Sequence, residues 1–310
     1  MSQLQKDYTS ILDVDLEDVQ YLLNLAVAMK ADRYLHSDAL RRRTMTMVFE
    51  KPSLRTRVTF EAAIFEMGGY AIYLAPGDIG LGTRESVPDT ARNLARWVDV
   101  IVARTFEHNS VLGLAKYASI PVINALSDDE HPCQALADFL TLYERWNDLK
   151  HVRIAYVGDG NNVCNSLLLL CGVTGTSMSV ATPPGYGPPD RIVEQAKELA
   201  SHSGAEFHIT TDPREAVRSC QAVYTDVWAS MGREEEAEKR RKIFSDYQVN
   251  SALMKEAGPD AIFLHCLPAH RGEEVTDEVM DGPQSVVFDQ AANRLHVQKA
   301  LLYRLLTGRQ

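Results

Sequence analysis

The sequence predicts an α/β protein of two doubly wound α/β domains, each with a central parallel sheet. Three observations point there. The length of 310 residues suits two domains, each large enough to bury its own core. Short β-prone apolar runs alternate with helical stretches, the rhythm of a parallel sheet with helices on both faces. That rhythm restarts near residue 150, which divides the chain into expected domains 1–147 and 148–310.

Taken in order, Asp15 to Lys30 reads as an amphipathic helix with Leu16, Val19, Leu22, Leu23, Leu25 and Ala26 on one side. Thr44 to Phe49 is a short strand, and Pro52-Ser53 precede a helix from about Thr56 that stops at Gly68-Gly69. Tyr70 to Leu74 is a second strand. A glycine-rich loop, Pro76 to Thr83, leads to a helix over Pro88 to Trp97, and Val98 to Ala103 is a buried strand. A helix from Gln134 to Asn147 closes the first half. In the second half, Arg153 to Val157 is a strand that runs through Gly158-Asp159-Gly160 into an apolar helix, Ser166 to Val173. Strands at Met178 to Ala181 and Ala222 to Thr225 flank a Pro/Gly loop, Pro183 to Pro189, and a helix from Ile192 to His202. After the charged segment Arg233 to Lys242, strands are expected at Ala261 to His265 and Ser285 to Phe288, and a closing helix at Ala291 to Leu306.

Composition narrows the function. The chain carries 32 Lys and Arg against 42 Asp and Glu, a formal charge of −10. Such a surface disfavours nucleic acid and anionic membranes as partners, yet a few local arginines can still build a pocket for a small anion. The five cysteines are scattered and never form a CxxC pair, a poor disulfide framework and a poor zinc site that suits a reducing compartment. The first residues lack a signal pattern, and no apolar run approaches the about 18 residues of a membrane span. The expectation is a soluble, cytoplasmic protein.

Five polar turns at strand ends carry the chemistry. Lys51-Pro52-Ser53-Leu54-Arg55-Thr56-Arg57 joins a strand to a helix, where unpaired N–H groups, hydroxyls and a guanidinium fork suit a phosphate. Alone, it reads equally well as an ordinary capped helix. His131-Pro132-Cys133-Gln134 enters the next helix, with His131 and Gln134 as neutral donors for a carbonyl, and Arg104 stands at a strand's carboxyl end. Gly158-Asp159-Gly160-Asn161-Asn162 suggests a dinucleotide site, but Val163 stands where the third glycine belongs, so that reading fails. Asn162 instead offers an amide to an amino acid. Asp226-Val227-Trp228-Ala229-Ser230-Met231-Gly232 places Asp226 as either a helix cap or a counter-ion for an amine, and His265-Cys266-Leu267-Pro268 ends a strand beside an X–Pro bond that can be cis. Split between two α/β halves, these turns describe a cleft.

The blocks FEKPSLRTRVTFE, HPCQALADFLTL, GDGNN, DVWASMG and FLHCLPAHRGEEVTDEV, with the tail ANRLHVQKALL, together resemble the aspartate/ornithine carbamoyltransferase family over nearly the whole chain, the ornithine branch most closely. The resemblance implies a carbamoyl phosphate-binding domain at 1–147 and an ornithine-binding domain at 148–310, whose final helix, about 291–306, returns to the first. It implies transfer of the carbamoyl group to the side-chain amine of L-ornithine, without metal or cofactor, by a homotrimer or a multiple of trimers. Ser53, Leu54, Arg55, Thr56, Arg104, His131, Gln134 and Arg294 would hold carbamoyl phosphate together with Cys266 and Leu267, the last two through backbone carbonyls. Arg55, Arg104, His131 and Cys266 would be the catalytic set, with Cys266 no covalent nucleophile, and Asn162, Asp226, Ser230 and Met231 would hold ornithine.

Two positions depart from the family pattern. Leu54 stands where a hydroxyl residue is common, which leaves only the backbone N–H. Gly80 stands where ornithine enzymes often carry a glutamine that reaches a neighbouring subunit, leaving Arg84 as the candidate substitute. The alternative activities are carbamoyl transfer to acetylornithine or putrescine, or ligand binding without catalysis. The intact DVWASMG segment favours a free α-amino acid.

Overall fold

The computed structural model describes residues 6–229 and 237–308. Strands form where β-branched and apolar residues cluster: β1 (Thr44–Phe49), β2 (Tyr70–Leu74), β3 (Val100–Arg104), β4 (Val122–Leu126), β5 (Arg153–Val157), β6 (Ser177–Ala181), β7 (Phe207–Thr210), β8 (Ala222–Thr225) and β9 (Ile262–His265). Between them run α1 (Leu16–Ala31), α2 (Leu54–Glu66), α3 (Pro76–Ile79), α4 (Val87–Leu94), α5 (His108–Tyr117), α6 (Pro132–Trp146), α7 (Asn162–Thr174), α8 (Asp190–Ser203), α9 (Pro213–Val217), α10 (Ala237–Phe244), α11 (Ser251–Ala257), α12 (Asp277–Met280) and α13 (Val287–Thr307).

The chain folds into two compact units, one of the residues up to Leu140 with those from Ala292 onward, the other Thr141–Ala291. In the first, four parallel strands lie in the order β2-β1-β3-β4. Val48, Ile101, Ala103 and Val122 turn one face toward Ala91 and Leu94 of α4 and Val111 and Leu114 of α5. The alternate residues Met45, Met47 and Phe49 are equally buried, so the sheet is covered on both faces. In the second, five parallel strands lie in the order β7-β6-β5-β8-β9. Ala155, Val157, Val223 and Phe263 pack with Val217, Phe244 and Met254 on one face. In both sheets the chain moves outward in one direction and then returns to the other side of the first strand. The reversal points lie between β1 and β3 and between β5 and β8, and ligands of open α/β sheets settle at the carboxyl ends of such strands.

Two expectations are overturned. Pro76 to Thr83 is not loop throughout, because Pro76–Ile79 forms α3. Ser285 to Phe288 is not a strand: Ser285 makes an isolated bridge to Phe263, and α13 already begins at Val287. Phe263 donates its N–H to Gln284 and its carbonyl accepts from Val286, which uses up the edge of β9 at one position while helical bonding takes over. The segments α5–β4, β7–α9, α11 and α12 form where the sequence reading offers no element. Part of the charged segment Arg233 to Lys242 lies outside the described residues, and its remainder forms α10. Among the described residues no helix is long and apolar enough to cross a membrane.

Candidate functional site

In the first unit the site residues collect at the carboxyl ends of β1 and β3. Beyond β1, Ser53 adopts an extended conformation (φ −157°, ψ 116°) and its hydroxyl accepts from the Thr56 N–H at 3.4 Å, starting α2. No acidic residue occupies the first turn, so the N–H groups of this helix start keep their affinity for an anion. The Leu54 side chain itself is exposed, which leaves its backbone as its contribution. Arg104, the last residue of β3, is buried, and Phe106 just beyond it lies 4.7 Å under the Lys51 ammonium.

Arg294 of α13 ties this group together. Its Nη1 donates to Gln134 Oε1 at 2.6 Å and its Nη2 to Thr56 Oγ1 at 3.1 Å. Accepting from Arg294 leaves the Thr56 hydroxyl its own proton to give. Gln134 is more committed than the sequence suggests, because its amide nitrogen also donates to Asp138 at 2.8 Å. His131 is buried beside them. Burial first, then the charges of Arg294, Arg104, Arg55 and Lys51, hold its imidazole well below the ordinary histidine range. The result is a neutral imidazole among cations, a donor that does not surrender its proton, in surroundings suited to a multiply charged anion.

Beyond β2, Gly80 ends α3 in the left-handed region (φ 55°), and its carbonyl accepts from Thr83 at 3.0 Å and Arg84 at 2.8 Å. A Cβ there would stand 2.9 Å from the Arg84 Cβ, so this turn itself calls for glycine and a glutamine would be strained.

The second unit builds an acidic counterpart where β5, β8 and β9 end. Gly160 is required by close packing: a Cβ would stand 2.3 Å from the Gly187 carbonyl carbon, which accounts for the GDG run without a nucleotide. Asn161 caps α7, its Oδ1 accepting from Val163 N at 3.0 Å and Cys164 N at 3.2 Å, and its Nδ2 donates to Asp226 at 2.7 Å. Asp226, after β8, also accepts from the Cys266 thiol at 3.0 Å and the Val227 N–H at 2.8 Å. His265 Nδ1 accepts from Leu267 N at 2.8 Å, which directs the other ring nitrogen to Glu274 at 3.2 Å. Leu267 takes a positive φ (59°), and the Leu267–Pro268 bond is cis. Asn162, the first residue of α7, is half-buried. Ser230 and Met231 lie outside the described residues.

Three further residues escaped the sequence reading. Lys51 adds to the field at His131. Asn161 holds Asp226, although the adjacent asparagine drew attention. Its signal was the N-cap position, an asparagine followed by N–H groups two and three residues on. Arg240, hidden within a charged run, is buried, pairs with Asp159 and donates to the Trp228 carbonyl, with Tyr186 and Phe244 rings 5.0 and 5.1 Å away. It thereby joins the turn after β5 to the loop after β8.

Two groups among the described residues have metal-type ligand atoms within 4.8 Å of one another: Asp226, His265 and Cys266, and His270, Glu273 and Glu274. In the first, both ring nitrogens and the thiol are engaged in the hydrogen bonds above. In the second, Glu273 is already ion-paired with Arg241 at 2.8 Å.

Comparison with known proteins gives the lineage of this arrangement. A profile of the aspartate/ornithine carbamoyltransferase carbamoyl-P binding domain matches residues 6–144, and one of the Asp/Orn binding domain matches residues 150–305. The ornithine carbamoyltransferase of Anoxybacillus flavithermus is 51% identical over 306 residues, spanning 97% of this chain and 96% of its own. That of Thermococcus kodakarensis is 50% identical over 305 residues, with 98% and 97% coverage. The solved ornithine carbamoyltransferase from Pyrococcus furiosus matches with a TM-score of 0.96 and 48% identity, covering 100% of both chains. On both domain profiles and on these full-length relatives, the chain belongs to the aspartate/ornithine carbamoyltransferase family.

Proposed function

We propose that the protein is an ornithine carbamoyltransferase, which moves the carbamoyl group of carbamoyl phosphate to the side-chain amine of L-ornithine. The observation that carries this reading is His131, neutral and buried among Arg294, Arg104, Arg55 and Lys51. A phosphoryl dianion balances the cations, while the imidazole, Arg104 and the Thr56 hydroxyl donate to the carbamoyl oxygen. Ser53, the N–H groups of Leu54 and Arg55, and the Arg55 fork hold the phosphate, Gln134 joins Arg104 and His131 at the carbamoyl carbonyl, and Arg294 completes the pocket. The backbone carbonyls of Cys266 and Leu267 accept from the carbamoyl NH2, and Asp226, Asn162, Ser230 and Met231 hold ornithine. Identity near one half to proteins named ornithine carbamoyltransferase supports this choice of acceptor.

The chemistry uses side chains of these types throughout. The uncharged amine attacks the carbonyl carbon, the oxygen becomes an oxyanion under the waiting donors, and the C–O bond to phosphate breaks. The departing phosphate takes the proton released by the amine. An alkylammonium near pKa 10 is no nucleophile, so the reaction needs the deprotonated amine.

A citrulline assay with wild type and Arg55→Ala tests the reading, with acetylornithine and putrescine as comparison acceptors. Ornithine should be the preferred acceptor, and the variant should lose about 100- to 1,000-fold in rate at unchanged thermal stability, the scale of a lost transition-state donor. A near-normal Arg55→Ala removes Arg55 from the site, and wild type without citrulline formation defeats the assignment.

The assembly we infer is a homotrimer. An apolar stripe on α2, Leu54, Val58 and Phe65, is exposed, as are Tyr70 and Ile72 of the edge strand β2, and such a patch calls for a partner surface. A cytoplasmic location accords with five cysteines that form no disulfide.

A further inference from the structure

We propose that Asn161 is a positioning residue for the amino-acid half of the reaction, holding the Asp226 carboxylate where it receives an amino group of ornithine. The inference rests on the acceptor assignment above and extends it to a side chain outside the set proposed to hold ornithine.

Hydrogen bonding fixes which way the Asn161 amide points. Its Oδ1 faces three donors: the backbone N–H groups of Val163 and Cys164, and the Tyr156 hydroxyl at 3.1 Å. Burial above all keeps Tyr156 a neutral phenol, with the nearby acidic groups adding to the effect, so it too donates. A flipped amide would set an NH2 against three donors, and the observed orientation is therefore forced. The NH2 is left with Asp226 Oδ2 at 2.7 Å. The other carboxylate oxygen is held by the Cys266 thiol and the Val227 N–H. All three donors are uncharged, so none cancels a carboxylate's attraction for a ligand ammonium. The carboxylate is thus fixed on both oxygens yet still seeks a cation.

Capping of α7 uses only the Asn161 carbonyl. The NH2 contact is additional, and the two roles can be separated. Serine caps a helix about as well as asparagine. Its shorter single hydroxyl, occupied at the cap, does not also reach Asp226. Asn161→Ser therefore deletes the contact and spares the helix start.

The experiment measures Michaelis constants for both substrates and thermal midpoints for wild type and Asn161→Ser. The expected result is an ornithine KM raised about tenfold or more, as befits loss of a hydrogen bond to a charged group. The carbamoyl phosphate KM should stay within about twofold and the midpoint within about 2 °C. Asn161→Thr, a second capping side chain without an NH2, should behave alike and serves if the serine variant does not fold. An ornithine KM equal to wild type in either folded variant overturns the proposal. So does a parallel change for both substrates that tracks a lowered midpoint, the mark of a purely structural role. A wild-type enzyme inactive on ornithine overturns the acceptor assignment and this proposal with it, whereas a wild-type-like variant of an active enzyme overturns this proposal alone.

Discussion

At the scale of single residues, His131 is the sharpest case of a side chain whose chemistry is set by its neighbours. Its folded value lies well below the ordinary 6.5, through burial first and the arginines second. The unfolded chain therefore binds the proton more readily than the native one. His131 contributes stability in full above about pH 6.5, and that contribution is lost as pH falls toward the folded value, at up to about 1.4 kcal/mol per pH unit. His131→Gln should flatten the acid limb of a plot of urea midpoint against pH between about 7.5 and 5.5, the window opened by the unfolded histidine value. Equal slopes for wild type and variant would mean the imidazole is not held neutral. Burial, reinforced by the same cations that suit the proposed dianion, thus makes the native fold acid-sensitive at one position.

Among elements, the last helix owes its place to charges inside the first unit rather than to its apolar pattern alone. Lys299 of α13 is fully buried and donates to Glu66 of α2 at 3.0 Å, and Arg33 reaches the same carboxylate at 2.6 Å. Removing one partner of a buried pair leaves the other charge stranded, whereas replacing both removes the desolvation cost as well. Lys299→Met should lower unfolding free energy by about 3 kcal/mol, and the double variant Glu66→Leu with Lys299→Met by distinctly less than the sum of the single changes. Additive losses in the urea-derived cycle would show the pair to be uncoupled. Such long-range ties also mark the limit of what could be read from the chain. Strands β1, β2, β5 and β8 were legible because each is a compact β-prone run, and α2 announced itself through Ser53 placed three residues before Thr56. β4 and β7 were not, because Asn124 interrupts the apolar run of the one and His208 that of the other. Ser285 to Phe288 was misread because Val286 and Val287 suit either a strand or the buried side of a helix. The Arg294 bonds to Gln134 and Thr56 join residues separated by 160 and 238 positions, and no local pattern foretells them.

On the scale of the whole molecule, the question is what covers the stripe on α2 and β2. Phe65 is 78% exposed and Tyr70 68%, in a chain whose net charge of −10 otherwise keeps copies apart. Sedimentation of wild type should give roughly three times the chain mass of 34.6 kDa, and Phe65→Glu, which sets a charge in the stripe, should shift the population toward single chains. A variant that sediments like wild type would place the contact elsewhere. The thiols have a practical consequence as well. Cys133, Cys164, Cys171 and Cys220 are sealed in the two cores, and burial pushes Cys133 and Cys220 up to about 12. Cys266 alone is partly open, with its sulfur on Asp226. A maleimide dye therefore finds one address per chain, and the fluorophore sits against the carboxylate proposed to greet the incoming amine. The label displaces the thiol proton that helps fix Asp226, so the rate of labelling, slowed by a bound acceptor, is the readout that needs no cysteine engineered in or out.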